Sequence, residues 1–239
     1  MEDFAVVTGG ARNIGAAIAR RLSDDGFKII VIDQIEPDHT HVDAFVEADL
    51  SDVRSIARVL APVFDERRIT RLVNNAGIVS PALLQDTTIE DMERVLAVNL
   101  EAAMVCAQLV LPAMKQAGVG RIVNISSRAA LGKELRTAYG ASKAALIAMT
   151  RTWALELAGF GITVNAVAPG PIRTSLFDEA NPPDSPRTRA IVDNIPVGFM
   201  GEPDDVAHAV GFLTSDRARF VTGQVLYVCG GVSIGGVSS

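Results

Sequence analysis

Thr8-Gly9-Gly10-Ala11-Arg12-Asn13-Ile14-Gly15 follows a short apolar run at 4–8 and opens a stretch of helical period at 14–23. Glycines in such a turn let the backbone bend tightly and approach a pyrophosphate, while the helix behind it offers unpaired N–H groups and a partial positive charge. Asn13 occupies a place where a further glycine is expected. Asparagine is the side chain other than glycine that best accepts a positive φ, so the turn can still close.

The alternation begun there runs the length of the chain. Short β-branched runs at 4–8, 28–32, 44–46, 71–74, 121–125, 162–167 and 224–228 read as strands, and segments at 14–23, 52–64, 89–116, 138–157 and 203–214 read as helices. Thr88 with Asp91 three residues on marks a helix start, and Pro203 suits a first helical position. Strands that are apolar throughout belong to a parallel sheet covered on both faces. The expected fold is α/β: a single doubly wound Rossmann domain over 1–239, with a parallel seven-stranded sheet and helices on both faces. The Pro-rich stretch 178–189, within a loop at about 175–200, reads as a substrate lid.

Asp33, at the end of the second strand, can accept hydrogen bonds from the adenosine ribose hydroxyls and would repel a 2′-phosphate. NAD is therefore expected as cofactor rather than NADP, although Arg12 adds a charge that could assist a 2′-phosphate. With 239 residues, 22 Lys and Arg against 28 Asp and Glu, and a net charge of −6, the chain lacks the basic footprint of a nucleic-acid partner. Cys106 and Cys229 show no paired spacing, so a reducing compartment is expected. The start Met1-Glu2-Asp3 has the wrong charge for a signal peptide, and no apolar stretch was expected to span a membrane, which suggests a cytoplasmic protein. The three histidines, His39, His41 and His208, have no metal-ligand spacing, so no metal is expected. Segments 95–114 and 144–157 are apolar nearly all round, so a second subunit is expected to cover one face: a homo-oligomer, tetramer or dimer.

Six ordered motifs resemble the short-chain dehydrogenase/reductase family from Val6 to Gly231. They are the glycine turn, Asn74-Asn75-Ala76-Gly77, Val98-Asn99-Leu100, Asn124-Ile125-Ser126-Ser127, Tyr139-Gly140-Ala141-Ser142-Lys143, and Pro169-Gly170-Pro171-Ile172-Arg173-Thr174. Tyr139 and Lys143 are four apart on a helix and so share a face; a neighbouring ammonium would favour the phenolate, which makes Tyr139 the expected general acid/base. The resemblance implies that Lys143 also holds the nicotinamide ribose, that a serine hydroxyl bonds the substrate oxygen, and that Asn99 positions a proton-relay water. Counting back thirteen from Tyr139 gives Ser126, whereas aligning the strand end gives Ser127. The two point to opposite faces of a strand, and a one-residue loop deletion is easier than a register slip, so Ser127 is chosen. By the same resemblance the cofactor would meet Gly9, Arg12, Asn13, Ile14, Gly15, Asp33, Asp49, Leu50, Asn75, Ala76, Gly77, Tyr139, Lys143, Pro169, Gly170, Ile172 and Thr174.

The implied reaction interconverts a secondary alcohol and a ketone, in the class of sugars, polyols or hydroxy acids. Arg128, Lys133 and Arg136, with Arg187 and Arg189 of the lid, could bind an anionic substrate group, or could simply be solvated surface. An alternative is a 3-oxoacyl thioester reductase, because the segment from Pro196 to Ala207 resembles such enzymes, with Phe199 in place of an arginine common there. A non-catalytic NAD-sensing or scaffold protein on the same fold is a third reading, although such a protein would not need Asn99, a serine, Tyr139 and Lys143 together.

Overall fold

Seven strands form the frame: β1 (Phe4–Thr8), β2 (Lys28–Asp33), β3 (Ala44–Glu47), β4 (Ile69–Asn74), β5 (Gly120–Ile125), β6 (Ile162–Pro169) and β7 (Val225–Val228). They lie in the order β3-β2-β1-β4-β5-β6-β7, and every pair is parallel. The computed structural model describes residues 2–38, 40–65, 67–180 and 185–235. His39, and Asn181, Pro182, Pro183 and Asp184 of the stretch expected to form a lid, lie outside them.

The helices are α1 (Asn13–Asp24), α2 (Val53–Phe64), α3 (Ile89–Leu96), α4 (Ala102–Ala117), α5 (Thr137–Leu157), α6 (Ser175–Ala180), α7 (Pro186–Asp193) and α8 (Pro203–Thr214). Side chains alternate across each strand, so every strand feeds two cores. Val6, Ile30, Leu72, Ile122 and Val164 pack under α2, α4 and α5 on one face. Val7, Ile29, Val31, Val73 and Val123 pack under α1 and α8 on the other. Crossovers of both directions leave β1 and β4 as neighbours, and the crevice at their carboxyl ends, Thr8 and Asn74, is where this topology accepts a ligand.

Local signals behave as the chemistry demands. The Thr88 hydroxyl accepts the Asp91 N–H at 3.1 Å and caps α3, and Pro203 begins α8 behind a capping box of Glu202 and Asp205. Two features differ from the sequence expectation. The helix expected over 89–116 is continuous in path but carries a π-helical turn at Ala97–Glu101, centred on the buried Asn99. The stretch Ile89–Ala117 is also long and apolar enough to cross a membrane by length and composition, contrary to the expectation that no stretch was. Asn99, Glu101 and Gln108 interrupt its apolar run, and here it packs against α2, β4 and β5.

Candidate active site

The glycine turn folds as its composition requires. Gly9 has φ +63°, and Asn13 sits at φ 51°, in the left-handed region that asparagine tolerates. A Cβ on Gly15 would lie 1.9 Å from the Gly9 carbonyl oxygen, so no larger residue fits. Asn75 ties this turn to the end of β4. Its Nδ2 donates to the carbonyls of Thr8 at 3.1 Å and Gly9 at 2.8 Å, and its N–H donates to the Thr8 hydroxyl at 3.0 Å.

These contacts shape a cavity of about 660 Å³ lined by Gly9, Arg12, Asn13, Ile14, Gly15, Asp33, Asp49, Leu50, Asn75, Ala76, Gly77, Tyr139 and Thr174. Asp33 closes its far side: its carboxylate accepts the Ala11 N–H at 3.0 Å and the Gln34 N–H at 2.8 Å. The Ser51 hydroxyl and N–H hold the Asp49 carboxyl below its usual range. A bare backbone turn at a helix N-terminus with a carboxylate across the cavity fits the diphosphate and ribose of a dinucleotide. Ile78, Val98, Ser175 and Glu179 also line this cavity and were missed from the sequence.

A second cavity, of about 540 Å³, adjoins the first at Tyr139 and Thr174. Ser127, Arg128, Lys133, Arg136, Pro169, Gly170 and Ile172 line it, with Val79, Phe177 and Ile191 from the opposite wall. Pro169, Gly170 and Ile172, expected beside the cofactor, thus line this second cavity and not the first. Ser127 and Tyr139 line the second cavity together. Ser126 is turned away and donates to the Lys143 carbonyl at 2.8 Å. A third cavity, of about 650 Å³ between α2 and α4, is remote from all these groups.

Behind Tyr139 lies a buried polar chain. The Asn99 carboxamide accepts the Ile78 N–H at 2.8 Å and donates to the Ile78 carbonyl at 3.0 Å and to the Ser142 hydroxyl at 3.0 Å. Ser142 in turn donates to the Tyr139 carbonyl at 2.8 Å, and the Lys143 Nζ donates to the Ile125 carbonyl at 2.7 Å. Ser142, fully buried, was not singled out from the sequence; its place in the turn after Tyr139 was the only signal.

Burial and neighbouring groups act on the Tyr139 ionisation. Burial pushes the Tyr139 phenol up, while the Ser127 hydroxyl and the Arg136 charge pull it down. Two cations lie near the phenol: Arg136, and Lys143, whose Nζ is 5.7 Å from the Tyr139 ring centroid while donating to the Ile125 carbonyl, and which burial pushes down to about 8. Of the lid arginines, Arg189 is exposed and does not line the cavity, and the Arg187 side chain lies outside the described residues. Among the described residues no three His, Cys, Asp or Glu side chains cluster.

A family model described as enoyl-(acyl carrier protein) reductase matches residues 9–233. A hydroxy(phenyl)methylsuccinyl-CoA dehydrogenase subunit of Thauera aromatica is 38% identical over 241 residues, covering 96% of each chain. The chain belongs to the short-chain dehydrogenase/reductase family. Within it, a 3-oxoacyl-(acyl-carrier-protein) reductase of Thermotoga maritima is 38% identical over 242 residues, covering 96% of this chain and 97% of its own. A structure described as an NAD(P)-dependent gluconate 5-dehydrogenase from Beutenbergia cavernae, with bound NADP at low occupancy, superposes with a TM-score of 0.89 at 38% identity, covering 97% of this chain and 96% of its own. The chain is an oxidoreductase of a family that uses nicotinamide cofactors.

Proposed function

We propose that the chain interconverts a secondary alcohol and a ketone, in the class of sugars, polyols or hydroxy acids, with NAD as the preferred cofactor. The observation that carries this is the position of Tyr139 at the junction of the two cavities, with Ser127 lining the second beside it. When bound, the nicotinamide supplies the partner that accepts or gives the hydride. Tyr139 moves the proton of the reacting oxygen, and Ser127 hydrogen-bonds that oxygen. Asn99, fixed by Ile78 and Ser142 within the π-helical turn, faces the relay side, and Lys143 holds the ribose.

Gly9, Arg12, Asn13, Ile14, Gly15, Asp33, Asp49, Leu50, Asn75, Ala76, Gly77 and Thr174 would hold the rest of the cofactor. The Asp33 carboxylate disfavours a 2′-phosphate by charge. The segment about 175–200 acts as lid, within a single domain over 1–239. The protein works in the cytoplasm as a homo-oligomer, tetramer or dimer, without nucleic-acid or membrane partners; Met104, Leu155 and Phe160 expose apolar surface on the two apolar helices and just beyond them that a second copy would cover.

A second reading, a 3-oxoacyl thioester reductase using NADPH, is favoured by Arg12 in the nucleotide cavity and by the relatives of that name. Initial rates on a panel of secondary alcohols with NAD⁺ and NADP⁺, and on 3-oxoacyl thioesters with NADH and NADPH, separate the two. Alcohol oxidation with NAD⁺ is expected; activity confined to NADPH and oxoacyl thioesters would overturn the first reading.

A further inference from the structure

The cavity beside Tyr139 carries one sign of charge. Arg128, Lys133 and Arg136 come from a single short segment and line it together, and among its described lining residues there is no carboxylate. The adjoining nucleotide cavity has the opposite character, with Asp33, Asp49 and Glu179 beside Arg12. None of the three cations lines the nucleotide cavity, so cofactor phosphates do not account for them.

The segment is held in place by its own contacts. Ser127 accepts the Ala129 N–H at 3.1 Å and starts a 3₁₀ turn at Arg128–Leu131. Leu135 sits at φ 60°, a conformation that a residue with a Cβ keeps only where its surroundings impose it. The Arg136 Nη1 donates to the Leu135 carbonyl at 2.9 Å, at the start of the helix that carries Tyr139.

Resting on the oxidoreductase reading above, we infer that Arg128 and Arg136, with Lys133 beside them, form a subsite for an anionic group of the substrate, a carboxylate or a phosphate. A guanidinium fork grips either one through paired charge-assisted hydrogen bonds. Arg136 and Tyr139 line the same cavity, so the anion and the reacting oxygen would belong to one bound molecule. The apolar wall of Val79, Phe177 and Ile191 faces the remainder of a small molecule, for which about 540 Å³ is ample.

Calorimetric titration of the full chain saturated with NADH tests this, because an alcohol bound with reduced cofactor does not turn over. The probes are two pairs differing in charge: 3-hydroxybutyrate against its methyl ester, and glycerol 3-phosphate against glycerol. In at least one pair the charged member is expected to bind about tenfold tighter or more, and Arg128→Gln with Arg136→Gln should cut that preference at least about fivefold. Preference in the first pair identifies a carboxylate and in the second a phosphate.

NADH affinity measured in parallel reports whether the double variant is folded; if it is not, the single variants take its place. A preference near one in both pairs, or a preference that survives the substitutions, overturns the subsite. Turnover of neutral alcohols without charge preference would overturn the subsite alone. Charge preference without turnover of any alcohol or ketone would overturn the oxidoreductase reading alone.

Discussion

Gly15→Ala probes the nucleotide turn at its tightest point. The added methyl would stand 1.9 Å from the Gly9 carbonyl oxygen, 2.8 Å from the Gly9 carbonyl carbon and 2.7 Å from the Asn75 Nδ2. Two of these atoms are backbone and cannot rotate away. Relief requires the turn to open, which also strains the two Asn75 bonds to the carbonyls of Thr8 and Gly9. Overpacking costs about 1–3 kcal/mol, and two weakened hydrogen bonds add roughly 0.5–1.5 kcal/mol each. The sum is about 2–6 kcal/mol, shared between stability and nucleotide binding.

Urea unfolding at fixed protein concentration and NADH titration by fluorescence measure the two parts. Gly159→Ala is the control, because a Cβ there meets nothing within 4 Å and its φ is not positive; it should be neutral or stabilise by up to about 1 kcal/mol. If Gly15→Ala bound NADH as tightly as the parent with an unchanged urea midpoint, the turn would not be built as described.

Three further outcomes follow from the geometry. Ser127→Ala should lower kcat by about 10²-fold or more with little change in NADH affinity, whereas Ser126→Ala should lower the urea midpoint and spare kcat; the reverse pattern would contradict the Ser127 assignment. Lys143 is buried with its pKa lowered to about 8, so the folded chain binds fewer protons than the unfolded one from about pH 8 up to the ordinary lysine value of 10.5, and its destabilising cost fades as pH rises through that window. Lys143→Met should therefore exceed the parent in stability at pH 7, with the gap closing towards pH 10 in urea titrations; a constant gap would argue against a buried ammonium. Asn13→Gly removes the paired bonds to Ser175, 3.1 Å from Nδ2 to Oγ and 3.0 Å from the Ser175 N–H to Oδ1; amide exchange over Ser175–Ala180 should quicken, and unchanged exchange would show that the turn does not fasten α6.

Much of this architecture is legible before any coordinates, because its signals are local and chemical. β-branched runs such as 28–32 and 162–167 read as buried strands, and Gly9 to Gly15 reads as a tight turn into a helix. The lid was half legible: 178–189 reads as a Pro-rich loop, yet Ser185 and Pro186 cap and start α7, with the Ser185 hydroxyl accepting the Thr188 N–H at 3.1 Å. The π-helical turn at Asn99 leaves no mark in composition, since it shifts backbone hydrogen bonds without changing side-chain period. Spacing puts Lys143 on the same helix face as Tyr139, and its ammonium lies 5.7 Å from the ring centroid; what spacing could not show is that Lys143 also donates to the Ile125 carbonyl and that the Arg136 charge acts on the phenol.

The central claim is that Tyr139, at the junction of the two cavities, moves the proton while hydride passes between substrate carbon and nicotinamide. Comparing the parent with Tyr139→Phe in NAD⁺-dependent oxidation of the best alcohol on the panel, with NADH affinity measured on the same samples, tests it most directly. The account predicts a loss of kcat of about 10²–10⁴-fold at near-unchanged NADH affinity; turnover by Tyr139→Phe within a few fold of the parent would contradict it.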